Sequence, residues 1–101
     1  MDKRILQKAI DTYGTESQKD MIIEEALELA LAILKHRRAV REEKTPGQIE
    51  KWRDNIVEER TDVGIMLEQV DMMFGCKDEV EEIQVYKINR LKERLGDGEN
   101  E

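Results

Sequence analysis

Apolar residues along this chain recur at spacings of three and four, and nowhere do they alternate with polar ones for the length of a strand. The pattern predicts an all-α protein with one short helix and three long ones. The first covers about residues 3–12, with Ile5, Leu6, Ala9 and Ile10 on one face and Gly14 as its stop. Thr15, with Gln18 three residues on, reads as a capping box opening a second helix to about Arg41. Residues 42–47 form the main loop. Within it Thr45-Pro46 supplies an N-cap and a first-turn proline, and Gln48 completes another capping box. The third helix runs to about Phe74, before Gly75, and the fourth from about Asp78 to Leu95, before Gly96. Residues 1–95 thus read as a single helical domain and residues 96–101 as a flexible acidic tail.

The second helix is apolar almost all round, through Ile22, Ile23, Ala26, Leu27, Ala30, Leu31, Ile33 and Leu34. A helix of that kind must be buried on most sides, which a single chain of 101 residues can hardly arrange. The expected architecture is therefore a bundle of the three main helices and the short N-terminal one, completed by homo-oligomerisation.

Charge narrows the function classes. Charged residues make up 41% of the chain, and 24 acids against 17 bases leave a net charge of −7. A duplex nucleic-acid binder presents a basic surface, so that class is set aside. No apolar run approaches the roughly 20 residues that span a bilayer. The charged start (Lys3, Arg4, Lys8, Asp11) does not resemble a signal peptide, and the lone Cys76 cannot form an intramolecular disulfide. A cytoplasmic protein is expected.

Certain acids lie where apolar neighbours point. Glu25 and Glu28, one turn apart, share a stripe with Met21, Leu29 and Ala32. Glu59 and Asp62, also one turn apart, share a stripe with Ile56, Val63, Met66, Val70 and Met73. An unpaired buried carboxylate is costly, and such groups are normally protonated, ion-paired or bound to metal. Two pairs on two facing helices imply a shared cation. The all-oxygen donor set suits Mg²⁺, with Mn²⁺ as a substitute. On the fourth helix Lys87 falls on the stripe of Val80, Ile83 and Leu91, within reach of phosphate oxygens or of the acids.

Glu24-Glu25-Ala26-Leu27-Glu28, followed by Glu59-Arg60-Thr61-Asp62, resembles the EExxE…ExxD signature of the MazG-like all-α nucleoside triphosphate pyrophosphohydrolases, a superfamily that includes dimeric dUTPases and phosphoribosyl-ATP pyrophosphohydrolase. The resemblance extends from about Gln18 to Arg94. It takes in the apolar flank Val63-Gly64-Ile65-Met66-Leu67 and the basic segment Tyr86-Lys87-Ile88-Asn89-Arg90. It implies a helical homodimer or homotetramer that binds Mg²⁺ and cleaves the α–β phosphoanhydride of a nucleoside triphosphate to a monophosphate and pyrophosphate. Under that resemblance Glu25, Glu28, Glu59 and Asp62 are metal ligands, and Glu24 and Glu25 are catalytic acids. Gln18, Lys87 and Arg90 are then substrate contacts. The rival expectations are a non-enzymatic helical adaptor or regulatory subunit whose acidic face binds a partner, and a helical protein with a structural ion.

The remaining chemistry-bearing residues attract plainer readings. Trp52, Tyr13 and Tyr86 read as packing groups, and Met66, Met72 and Met73 as core or interface. His36, alone among Lys35, Arg37 and Arg38, reads as a solvated surface group, and the basic run 35–41 as the complement of the helix dipole. With no partner histidine, Cys76 is not expected to be a nucleophile.

Overall fold

The computed structural model describes residues 1–96, and over these the chain is helical apart from short connections. Helix α1 spans Lys3–Tyr13, α2 Thr15–Arg41, α3 Pro46–Phe74 and α4 Lys77–Arg94. No strand occurs among the described residues, and no helix there is long and apolar enough to cross a membrane. The expected acidic tail lies outside the described residues except for Gly96.

Most of the punctuation falls where the sequence places it. Thr45 caps α3 through its side chain, which accepts from the Gln48 N–H at 3.2 Å, while the Gln48 side chain accepts from the Thr45 N–H at 3.1 Å. Gly75 closes the same helix in the left-handed region, at φ 58, where a side chain would be strained. The expected capping box at Thr15 does not form. Gly14 is the N-cap of α2 and has no side chain to offer, so Thr15 becomes the first helical residue and Gln18 turns inward, 6% exposed.

Helices α2 and α3 form an antiparallel hairpin, which carries nearly all the tertiary packing. Helix α1 lies across it through Leu6 and Ile10, with Lys3 Nζ 3.5 Å from a Glu68 carboxylate oxygen. The hairpin's inner seam is unusual in composition. Gln18, Glu25, Ala32 and Ala39 recur every seven residues on α2, and Gln48, Asn55, Asp62 and Gln69 do so on α3. Glu25 meets Asp62, and Ala39 meets Gln48 in one pocket. Continuing the same antiparallel register sets Ala32 against Asn55 and Gln18 against Gln69. Small residues and polar groups thus line the interior, while the stripe of Ile23, Leu27, Leu31 and Leu34 on the opposite side of α2 faces out.

Helix α4 departs from the expected bundle. Every residue from Lys77 to Arg94 is exposed, and beyond its first residue, Lys77, which lies near Lys3 and Glu68, the helix makes no extensive contact with another element. Within one chain the packed unit is α1, α2 and α3, so α4 is not part of a bundle formed by this chain alone. The Cα radius of gyration is 17.8 Å, against about 13 Å for a compact chain of this length.

Candidate metal centre

Midway along the hairpin the two acidic pairs converge. Glu25, Glu59 and Asp62 each offer a carboxylate oxygen, and these atoms lie within 4.8 Å of one another. Glu28 completes the group from α2, within hydrogen-bonding reach of both Glu25 and Glu59. The one-turn spacing on each helix sets the two acids of a pair on one face, and the hairpin register brings the faces together. Beside them, Glu25 and Asp62 open onto a 140 Å³ cleft walled by Ile65 and Met66. The apolar partners expected on α3, Ile56, Val63, Met66, Val70 and Met73, are all half-buried, as are Glu25 and Glu59, whereas Glu28 lies exposed at the edge of the cluster.

The electrostatics are those of a site short of positive charge. Burial pushes the Glu25 carboxyl above the usual range, and the charges of Glu28, Asp62 and Glu24 push it in the same direction. Glu59 is raised by burial too, then by its hydrogen bond with Glu28 and the charges of Glu28, Glu25 and Asp62. The main influences on both groups all push upward, and none of them is a basic side chain. One oxygen of Glu25 and one of Glu59 are buried without a hydrogen-bond partner. Two orphaned carboxylate oxygens among converging acids, all of them hard donors, fit a divalent cation such as Mg²⁺ or Mn²⁺.

The other sequence-predicted residues fall into two groups. Glu24 is exposed next to the cluster and close enough to raise Glu25. Gln18 is buried in the seam, two helical turns before Glu25. Lys87 and Arg90 are not brought to the carboxylates within the chain. Lys87 lines a groove on α4 with Val80, Ile83, Gln84 and Ile88, and the Arg90 guanidinium lies 5.7 Å from the Tyr86 ring centroid.

Two features escaped the sequence reading. Gln69 is 2% exposed, and its side-chain carbonyl oxygen has no partner. Its signal was available, since it stands seven residues after Asp62 as Gln18 stands seven before Glu25. His36 is half-buried rather than solvated, in a shallow recess with Arg37, Val40 and Arg41. Burial and nearby Asp71, 3.8 Å away, push the Cys76 thiol above its usual range. Comparison with protein-family models, curated proteins and solved structures yields no significant match.

Proposed function

We propose that this chain is the protomer of a cytoplasmic, Mg²⁺-dependent nucleoside triphosphate pyrophosphohydrolase, which releases pyrophosphate and leaves a monophosphate. The observation that carries the reading is the convergence of Glu25, Glu59 and Asp62 within 4.8 Å, with Glu28 against them and orphaned oxygens on Glu25 and Glu59. The order of these acids, and their spacing within each motif though not the 30-residue spacer between Glu28 and Glu59, are those of the signature that the sequence resembles.

In this reading Glu25, Glu28, Glu59 and Asp62 hold the cation. When bound, Mg²⁺ supplies neutralising charge for the triphosphate and acidifies a coordinated water. Glu24, exposed at the lip of the cluster, accepts the proton of the attacking water. The water oxygen bonds to phosphorus as the anhydride oxygen departs with pyrophosphate. Gln18, buried two helical turns before Glu25, is the substrate contact on α2. Lys87 and Arg90 carry the charge suited to a leaving pyrophosphate. Because α4 stands apart in the single chain, their part requires assembly into a homodimer or homotetramer, which the outward apolar stripe of α2 also favours.

The test is a panel of nucleoside triphosphates with Mg²⁺, scored for the first product. Pyrophosphate is expected from the wild type. Asp62→Ala is expected to lose at least about 100-fold in turnover with its helical circular dichroism unchanged. Orthophosphate as the first product, or normal turnover by Asp62→Ala, overturns the proposal.

A second reading, a non-enzymatic adaptor, is favoured by one observation: α4 presents Val80, Ile83, Ile88 and Leu91 to solvent with nothing packed on them. Calorimetry with Mg²⁺ and a non-hydrolysable nucleotide separates the two. The enzyme takes up Mg²⁺ and nucleotide together, and the adaptor takes up no Mg²⁺.

A further inference from the structure

The tip of the hairpin has an electrostatic character opposite to the rest of the chain. Residues 35–53 hold seven of the 17 basic residues and only three of the 24 acids. Where α2 ends and α3 begins, Lys35, Arg38, Lys44 and Lys51 surround a pocket of 270 Å³ whose remaining walls are Ala39, Glu42, Gln48 and Trp52. Ala39 forms a buried floor at 4% exposure, and Trp52 is half-buried. The cleft of the acidic cluster is lined by different residues altogether, Glu25, Asp62, Ile65 and Met66.

The four cations are poorly compensated. Glu42 is the only acid lining the pocket, and it pairs with Lys44 at 3.6 Å. Among the described residues Lys35 and Lys51 have no carboxylate partner; their ammonium groups lie 5.1 Å and 5.9 Å from the Trp52 ring centroid. Among the same residues the Arg38 guanidinium makes neither an ion pair nor a hydrogen bond. The negative end of the α2 dipole accounts for Arg38 and helps Lys35, but not for Lys51. That residue sits in the opening turns of α3, where the helix dipole adds positive potential. In a chain with a net charge of −7, a concave surface holding three cations free of carboxylates is a site short of an anion.

We propose that this pocket is a metal-independent binding site for a small phosphate-bearing anion. Its size is just under the usual 300–1,000 Å³ of small-molecule pockets, which suits a compact ligand and not a polymer. Arg38 offers the planar fork that takes two phosphate oxygens, Lys35 and Lys51 supply point charges on either helix, and the Trp52 ring gives an apolar wall. Gln48 is held in place by its capping interaction with Thr45, so the α3 side of the pocket is preorganised. The site uses none of the carboxylates and stands whether or not they hold a metal.

Trp52 is the chain's only tryptophan and reports on the pocket directly. The experiment follows its emission during titration of the full chain with inorganic pyrophosphate, and separately with orthophosphate, in EDTA. Potassium chloride at matched ionic strength is the control. A saturable change is expected, weakened about tenfold by Arg38→Gln, as loss of one charge-assisted hydrogen-bond pair implies. Glu59→Gln is expected to leave it unchanged. Saturation by pyrophosphate but not orthophosphate assigns a multiply charged ligand, and saturation by both assigns the single phosphoryl group. A change reproduced by chloride, no response to either anion, or an unaltered affinity in a folded Arg38→Gln protein overturns the proposal. So does a response to single-stranded oligonucleotide alone.

Discussion

Glu59 shows at the scale of one residue what the converging acids cost the fold. Burial and the neighbouring carboxylates raise its pKa, so the metal-free protein is strained when Glu59 is ionised. A carboxyl whose folded-state value lies above its unfolded one costs nothing while both states are protonated. The cost grows as pH rises from the ordinary value of 4.5 through the raised one. In EDTA at pH 7, Glu59→Gln is therefore expected to melt above the wild type, and the gap should close as pH falls toward 4.5. Saturating Mg²⁺ should reverse the order, because only the wild type gains from the ion. A variant that melts below the wild type in EDTA would show that these acids stabilise the fold without a cation. Gln69 presents the neutral form of the same problem. Its buried, unpartnered carbonyl oxygen predicts that Gln69→Leu raises stability by about 1 kcal/mol in urea titrations of the metal-free protein. A loss of stability would mean that the oxygen has a partner in solution.

At the scale of the element, the helices were legible in the sequence wherever a side chain punctuates them. Thr45, Pro46 and Gln48 announce the start of α3, and Gly75 its end. The cap is functional in energetic terms: Thr45→Ala should cost about 1 kcal/mol by chemical denaturation, with the loss removed if Ser replaces Thr. An unchanged stability would show that the hairpin's packing alone fixes that end. The start of α2 misled because Thr15 and Gln18 have the right spacing for a capping box. Gly14 already turns the chain, and Gln18 is needed inside the seam. The acids of α2 and α3 were legible as a cluster because a spacing of three holds on both helices and, on α3, half-buried apolar neighbours mark the face. Which helix face packs was not legible for α2. Ile23, Leu27, Leu31 and Leu34 point outward, only Ile22 and Leu29 among its large apolar residues are half-buried, and the hairpin closes over Ala32, Ala39 and the polar groups of the seam. Short side chains let the helices approach and leave room for carboxylates between them, a balance that hydrophobicity alone does not reveal. The placement of α4 was equally hidden, since its stripe of Val80, Ile83 and Leu91 specifies that it must pack but not on what.

For the whole molecule, the imbalance between apolar surface and core sets the last expectation. Only Leu6, Ile10, Ala32 and Ala39 are buried apolar residues among those described, two of them alanines. Ile23, Leu27, Leu31 and Leu34 line one side of α2 in the open, with Ile23 58% and Leu27 65% exposed. Contiguous apolar surface of this kind is what a second copy would cover, and so small a core gives the single chain little margin. If a second copy covers the α2 stripe, melting temperature must rise with protein concentration, because association stabilises only the folded chain. Ile23→Glu combined with Leu27→Glu should abolish that dependence and halve, or further reduce, the mass seen by light scattering. Both changes lie on the side of α2 opposite Glu25, so the carboxylate cluster itself is left intact. Under the proposed activity, turnover should nevertheless fall in the double variant, since Lys87 and Arg90 do not reach the cluster within one chain. A wild-type protein that scatters as a monomer, with a melting temperature independent of concentration, would remove the assembly. Lys87 and Arg90 would then have no route to the metal site.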